Sequence, residues 1–214
     1  MKNTDKRFIR AEAAFEDALI RLCQNKQACE LSVSELVDAA GYSRSAFYAH
    51  YENMEDFIQS LIKREVKFFC KILNYFPPCT SQMSCLEEAS IQADTQLFTH
   101  VYENQALYAL LLHDKLMDKT LDTIINDIVD EFLSRIKLIN DTVFETPGGT
   151  RWTIQNLYGS LDLALIFRVS TAVYFALIQY WESTGYRYAP HYLAIQRMNS
   201  RHQYIPVLPE DAGG

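Results

Sequence analysis

The chain has 214 residues, 49% of them apolar and 22% charged, with a formal charge of −7 at pH 7. That apolar share supports one large domain or two unequal ones without disulfide or metal staples, and the acidic balance has the wrong sign for a protein that coats nucleic acid with its whole surface. The five cysteines (Cys23, Cys29, Cys70, Cys79, Cys85) are odd in number and scattered, and the N-terminus is charged and amphipathic, so a disulfide-framed secreted protein is excluded and a reducing cytoplasm is expected.

Seven glycines and six prolines, set among long stretches that repeat apolar residues every three to four positions, predict an all-α chain with short connections. Lys2, Lys6, Arg7 and Arg10 cluster at the N-terminus, where they can meet phosphates or simply solvate a first helix. That helix is capped by Thr4 and Asp5 and runs to about Asn25, with Phe8, Ala11, Phe15, Leu19 and Leu22 on one face. Ser32-Val33-Ser34-Glu35 is a capping box that starts a second helix near Val33. Gly41 ends it after Ala40, and Ser43 caps a third short helix over about Arg44 to His50. Asn53 caps a fourth, acidic in its first turn and stopped by Pro77-Pro78, which at about 23 residues is a rod about 35 Å long.

A second capping box, Ser84 to Glu87, predicts a helix to about Tyr102, followed by Gln105 to Leu112 and Asp118 to about Ile139. Thr146-Pro147-Gly148-Gly149 breaks the chain. A long helix is expected from about Ile154 to Ser183, ended by Gly185, and Pro190 opens the last one. Nine helices result. The divisions are a head over residues 1–52, a linking helix over 53–76, a body over 77–205 and a tail over 206–214. The charge follows this plan: residues 1–67 hold ten Lys/Arg and eleven Asp/Glu, the rest ten and sixteen.

The capped helix, glycine turn and second capped helix between Ser32 and Tyr51 have the grammar of a helix-turn-helix, whose second helix enters the major groove of DNA. Leu31-Ser32-Val33-Ser34-Glu35-Leu36-Val37, then Ala39-Ala40-Gly41-Tyr42-Ser43-Arg44-Ser45-Ala46-Phe47-Tyr48 and His50-Tyr51, resemble the signature of the TetR (tetracycline repressor) family of transcription regulators. The likeness covers about residues 8–65; over the body it extends to length, helix count and an aromatic penultimate helix. It implies a three-helix DNA-binding head joined to a larger helical ligand-binding and dimerisation domain. It also implies a cytoplasmic, ligand-responsive repressor that binds a palindromic double-stranded DNA operator as a homodimer, with no membrane partner and no cofactor.

Arg44, in the first turn of the third helix, is the candidate for a bidentate guanine contact, and Ser45 and Ala46 are small enough to let the helix approach base edges. Ser43, Tyr48 and His50 complete the matching set, with Tyr48 and His50 at positions that in the family mostly touch phosphate. Ser34 and Tyr42 flank the groove, and Tyr42 replaces a small aliphatic residue and is partly core. Met54 stands where the resemblance implies a phosphate-binding lysine, so weaker or less salt-dependent binding is expected.

For assembly, Phe167, Ser170, Tyr174, Ile178 and Trp181 form one stripe of the penultimate helix and Ile166, Val169, Val173, Leu177 and Tyr180 another, so the helix needs burial on two sides. Phe167, Tyr174, Ile178 and Trp181 are taken as the dimer interface, together with the last helix around His191 to Met198. From Leu163 to Trp181 the helix has span length and a single charge, Arg168, but Ser170, Thr171 and Gln179 dilute it and no basic flank supports a membrane reading. An effector pocket of unknown ligand is expected among Phe98, Tyr102, Tyr108, Phe132, Trp152 and Tyr158, with Gln96, His100 or Asn156 as polar contacts.

No catalytic residues and no metal site are read from the sequence: it has no Cys-x-x-Cys, no histidine pair at metal spacing, no phosphate-cradling glycine loop and no nucleophile elbow. His113-Asp114 is the nearest pair, but adjacent helical positions point apart. Cys79 and Cys85 flank a loop as redox-sensor candidates or ordinary thiols. The alternative to an operator-binding repressor is a TetR-like helical protein that works through protein or small-molecule binding, or an activator.

Overall fold

The computed structural model describes residues 3–72, 83–113, 121–139, 144–145, 151–153 and 162–200, and among these it contains nine α-helices. Three make the head: α1 (Asn3–Leu22), α2 (Val33–Ala40) and α3 (Arg44–Tyr48). The first ends three residues short of expectation and is followed by a 3₁₀ turn, Ala28–Glu30. The capping boxes explain the boundaries. Ser32 Oγ accepts from the Glu35 backbone N–H at 3.2 Å, and Glu35 Oε2 accepts in return from the Ser32 N–H at 2.9 Å. Gly41 closes α2 at φ 73°, the left-handed region that costs any residue with a Cβ about 1–2 kcal/mol. Arg21 Nη2 then donates to the Ala39 carbonyl at 2.9 Å, tying α1 to the end of α2.

The head core is aromatic. Phe15, Phe47 and Phe57 are fully buried and meet edge to face, at 5.5 Å for Phe15 and Phe47 and 5.9 Å for Phe47 and Phe57. Each such burial stabilises by roughly 1.5–3 kcal/mol, with about 0.5–1.5 kcal/mol more per favourable ring pair. The third member stands on α4 (Met54–Ile72), capped by Asn53, whose Oδ1 accepts from the Asp56 N–H at 2.9 Å. Ile58, Leu61, Ile62, Val66 and Phe69 carry the buried face onward, so one apolar core runs unbroken from head to body along this helix.

The body comprises α5 (Met83–Glu103), α6 (Gln105–Leu112), α7 (Leu121–Ile139), α8 (Leu163–Ser183) and α9 (Pro190–Ser200). Helix α5 packs chiefly on α9, α7 on α8, and α4 on both α5 and α7. A buried ion pair pins the first of these contacts: Arg197 Nε of α9 donates to Asp94 Oδ2 of α5, Tyr174 donates its hydroxyl to Asp94 Oδ1 at 2.7 Å, and Arg197 Nη2 donates to Ser90 Oγ at 3.2 Å.

Three expectations change. Ser84 lies inside α5, which is already formed at Met83, so it occupies a helical position rather than the extended one an N-cap requires. The penultimate helix starts at Leu163 because Asp162 caps it, accepting from the Leu165 N–H at 3.1 Å. The all-α plan acquires a minimal antiparallel ladder, β1 (Phe144–Glu145) with β2 (Arg151–Trp152), in register Phe144 to Trp152. At the other end of α8 a Schellman closure passes through Gly185 at φ 66°, with the Tyr186 N–H reaching the Trp181 carbonyl at 2.9 Å. The expected ends of the linking helix beyond Ile72, the Thr146 to Gly149 break, the residues from Ile154 and the tail lie outside the described residues.

Candidate nucleic-acid interface

Helix α3 is only five residues long, so its position depends on its cap and its one buried residue. Ser43 Oγ accepts from the Ala46 N–H at 3.3 Å and lies 2.9 Å from Ser45 Oγ, while Phe47 anchors the inner face at 0% exposure. The residues expected to face DNA fall on the outer side. Ser43, Arg44, Ser45, Tyr48 and His50 are exposed, Ala46 and Ser34 are half-buried, and Arg44 makes no hydrogen bond or ion pair among the described residues. Its guanidinium is therefore free to meet a base edge or a phosphate at no cost in broken contacts.

Three positions are more structural than their sequence context suggests. Tyr42 meets the Phe15 ring edge-on at 5.4 Å, so it is a groove-flanking residue that also covers the core. The His50 ring lies 4.0 Å from that of Phe8, which fixes it against α1. Met54 is 7% exposed and belongs to the head core, so this position is turned away from the surface on which a phosphate contact would form.

On the body side, the dimer assignment needs correction. Tyr174, Ile178 and Trp181 are 3%, 0% and 0% exposed, and Phe167 stacks on Phe132 at 5.2 Å, so this stripe covers the chain's own core and is unavailable to a partner. The uncovered stripe is the other one, with Val169, Val173 and Tyr180 exposed, and Leu165 exposed beside it. From Tyr180 the stacking continues to Tyr188 and on to Tyr192, with centroids at 6.4 and 5.3 Å.

Most of the expected pocket residues that are described pack among the chain's own rings. Phe98 is buried edge-on to Trp181, Tyr108 is buried beside Phe69, and Phe132 is buried on Phe167; Tyr102, stacked on Trp181, alone among those described keeps an exposed ring. Gln96 is exposed, while Tyr158, Asn156 and the Trp152 side chain lie outside the described residues. So do Asp114, Cys79 and Cys85; His113 caps the end of α6 and pairs with Glu182 at 3.0 Å.

Sequence reasoning missed a buried carboxylate. Glu65 of α4 is 3% exposed, and its Oε2 accepts the Tyr108 hydroxyl at 2.9 Å and lies 2.7 Å from His100 Nε2. Burial alone would raise its carboxyl, but the His100 ring, the Arg64 guanidinium and the Tyr108 hydroxyl outweigh it and hold the group below the usual carboxylate value. The signal was present: position 65 falls on the same face as Leu61, Ile58 and Phe69, where a charge needs a partner.

A capped helix-turn-helix on an aromatic head, continued by a long helix into a helical body, defines a transcription-regulator fold. Within that head, residues 17–61 match the family of bacterial regulatory proteins, tetR family. An uncharacterized HTH-type transcriptional regulator of Bacillus subtilis, YwcC, is 40% identical over 63 residues, a stretch that spans 28% of this chain and 28% of that relative. Among solved structures, the fatty acid degradation regulator FadR from Bacillus halodurans superposes with a TM-score of 0.60 at 15% identity, covering 92% of this chain and 97% of its own. A protein of Shewanella sp. PV-4 assigned to the tetR family of transcription regulators gives 0.52 at 14% identity, covering 89% and 97%. These similarities are to regulators and not to enzymes.

Proposed function

We propose that this chain is a cytoplasmic homodimeric transcription repressor that reads a palindromic operator through α3 and releases it on binding a small molecule in the body. The observation that carries the reading is Arg44: exposed, without a partner among the described residues, and in the first turn of a helix whose opposite side is locked by Phe47. The division into a head to residue 52, a linking helix from residue 53 and a body from residue 77 goes with it. Ser43, Ser45, Ala46 and Tyr48 then lie along base edges and phosphates, with Ser34, Tyr42 and His50 at the margin.

Dimerisation supplies the second half-site. The exposed strip of Leu165, Val169 and Val173 is aliphatic and runs through Tyr180 to the Tyr188 and Tyr192 stack, the composition of an interface core with aromatic anchors. Helix α8 is also long and apolar enough to cross a membrane, but its inner face is committed to the body, and a second copy of the same helix covers the outer face without stripping it from that core.

Genomic footprinting with wild-type protein and Arg44→Ala tests the reading. A palindrome protected by wild type and lost or degenerate in the variant is expected, with about 1–3 kcal/mol of discrimination removed per half-site. Equal selectivity of both proteins, or no protected palindrome, refutes it.

A further inference from the structure

Two neighbouring residues of α4 face opposite ways. Arg64 turns to the head and donates to both carboxylate oxygens of Glu16 on α1, at 2.8 and 2.9 Å. Glu65 turns to the body, where His100 of α5 and Tyr108 of α6 hold its Oε2. The two halves are wired together, because Arg64 Nε donates to Glu65 Oε1 at 3.1 Å. Helices α1 and α6 also touch each other. One carboxylate thus shares its two oxygens between the part that carries α3 and the part that carries α8.

The arrangement couples its members physically. A carboxylate at 3% exposure stays ionised only while its donors are in place. If the body side withdraws a donor, the charge must lean harder on Arg64 or take up a proton, and in either case the pull on Glu16 changes. His100 is well held for such a role. Its ring stacks on Phe68 at 3.8 Å, and Asn104 Nδ2 lies 3.3 Å from its Nδ1 and donates to its backbone carbonyl at 2.8 Å.

The other ionisable groups around the carboxylate are accounted for. Arg64 is raised further above the ordinary arginine value by its Glu16 bond and stays charged. Burial, then Glu65 itself, drive the Tyr108 hydroxyl well above its usual value, so it remains a donor. Glu12 of α1 is engaged by the Tyr51 hydroxyl at 3.3 Å. On α7, Glu131 and Arg135 pair with each other at 3.0 Å, and Arg135 reaches the Cys70 carbonyl, further along α4.

We infer that Arg64 and Glu65 form a joint that positions the DNA-reading head against the body, and that the hydrogen bonds His100 and Tyr108 make to Glu65 set its hold and with it the affinity for DNA. The inference rests on the operator-binding reading above for its functional meaning, and on the Glu16, Arg64, Glu65, His100 and Tyr108 chain for its physics. Arg64 and Glu65 are positioning residues, remote from the DNA-facing side of α3.

The test uses the full-length chain and the footprinted operator. Affinity is measured at fixed pH and ionic strength for wild type, His100→Leu, His100→Gln and Glu65→Gln. His100→Leu removes a donor to Glu65, whereas glutamine at position 100 keeps one. His100→Leu and Glu65→Gln should each change affinity by at least about fivefold, the lower end of what coupled sites show, and His100→Gln should stay close to wild type. In parallel, amide hydrogen exchange without DNA should show α1 less protected in His100→Leu and Glu65→Gln, though neither substitution lies in α1. Affinity and α1 protection in His100→Leu equal to wild type overturn the joint. If no palindrome is bound by any protein but the exchange effect is present, the operator reading fails and the joint stands.

Discussion

The rings of Phe69 on α4 and Phe175 on α8 lie 7° from parallel with centroids 5.2 Å apart. This stack joins the helix that leaves the head to the helix whose other side bears the uncovered aliphatic strip. Phe69 is 1% exposed and Phe175 2%, so truncating either leaves a cavity that neighbouring helices fill only in part. Phe69→Ala should cost about 3–5 kcal/mol and Phe69→Leu clearly less. Urea unfolding followed by circular dichroism measures both, and a loss below about 1 kcal/mol for the alanine variant would show the stack to be absent in solution.

Charge placed on the strip of α8 should separate the subunits. Val169 and Val173 are 56% and 41% exposed, so Val169→Asp with Val173→Asp leaves each body folded while burying two carboxylates in the proposed contact. Sedimentation equilibrium should report monomers with an unchanged helical spectrum. Undiminished dimers would place the contact elsewhere on the chain.

Met54 gives a test at the start of the linking helix. Lysine there would have to push its ammonium out of the head core, so Met54→Lys should lower head stability by about 1–3 kcal/mol and leave the salt slope of operator binding near that of wild type. A slope steeper by about one unit, with stability preserved, would mean that the longer side chain reaches a phosphate after all.

The Glu35 carboxyl is lowered from 4.5 to about 2 by its bond to Lys26, then by the Ser32 N–H and hydroxyl. A depressed folded-state value stabilises the fold above the unfolded value and loses that contribution as pH falls towards the folded one. Glu35→Gln should therefore melt lower than wild type above about pH 4.5, and the two curves should converge by about pH 2. Parallel curves over that interval would contradict the capping box.

The head was legible from sequence because local chemistry fixes it: Ser32 with Glu35, Gly41, Ser43 and Asn53 each mark a boundary through a bond made within a few residues. The body was less legible, because its decisions are made at a distance. Periodicity shows two apolar stripes on α8 but cannot say which one meets Phe98 and Phe132 and which stays bare. Asp162 was a readable cap, yet the apolar run around it suggested a continuous helix. The two-residue ladder at Phe144 and Trp152 is too short to leave an alternating pattern. Glu65 and Asp94 carry no local mark of their partners, although both sit among residues that belong inside.

The buried pair of Asp94 and Arg197 bears on how such a protein can diversify. Because it pins α9 to α5, and because Tyr174 of α8 shares the same carboxylate, it sets the angle at which the proposed contact helices are offered to a second copy. On the operator-binding reading proposed above, the gap between the two half-sites is dictated far from the base pairs themselves. Letters of the operator can drift through single changes on α3, whereas its spacing resists drift, since replacing either member of the pair alone strands an ion at a cost of about 3–5 kcal/mol.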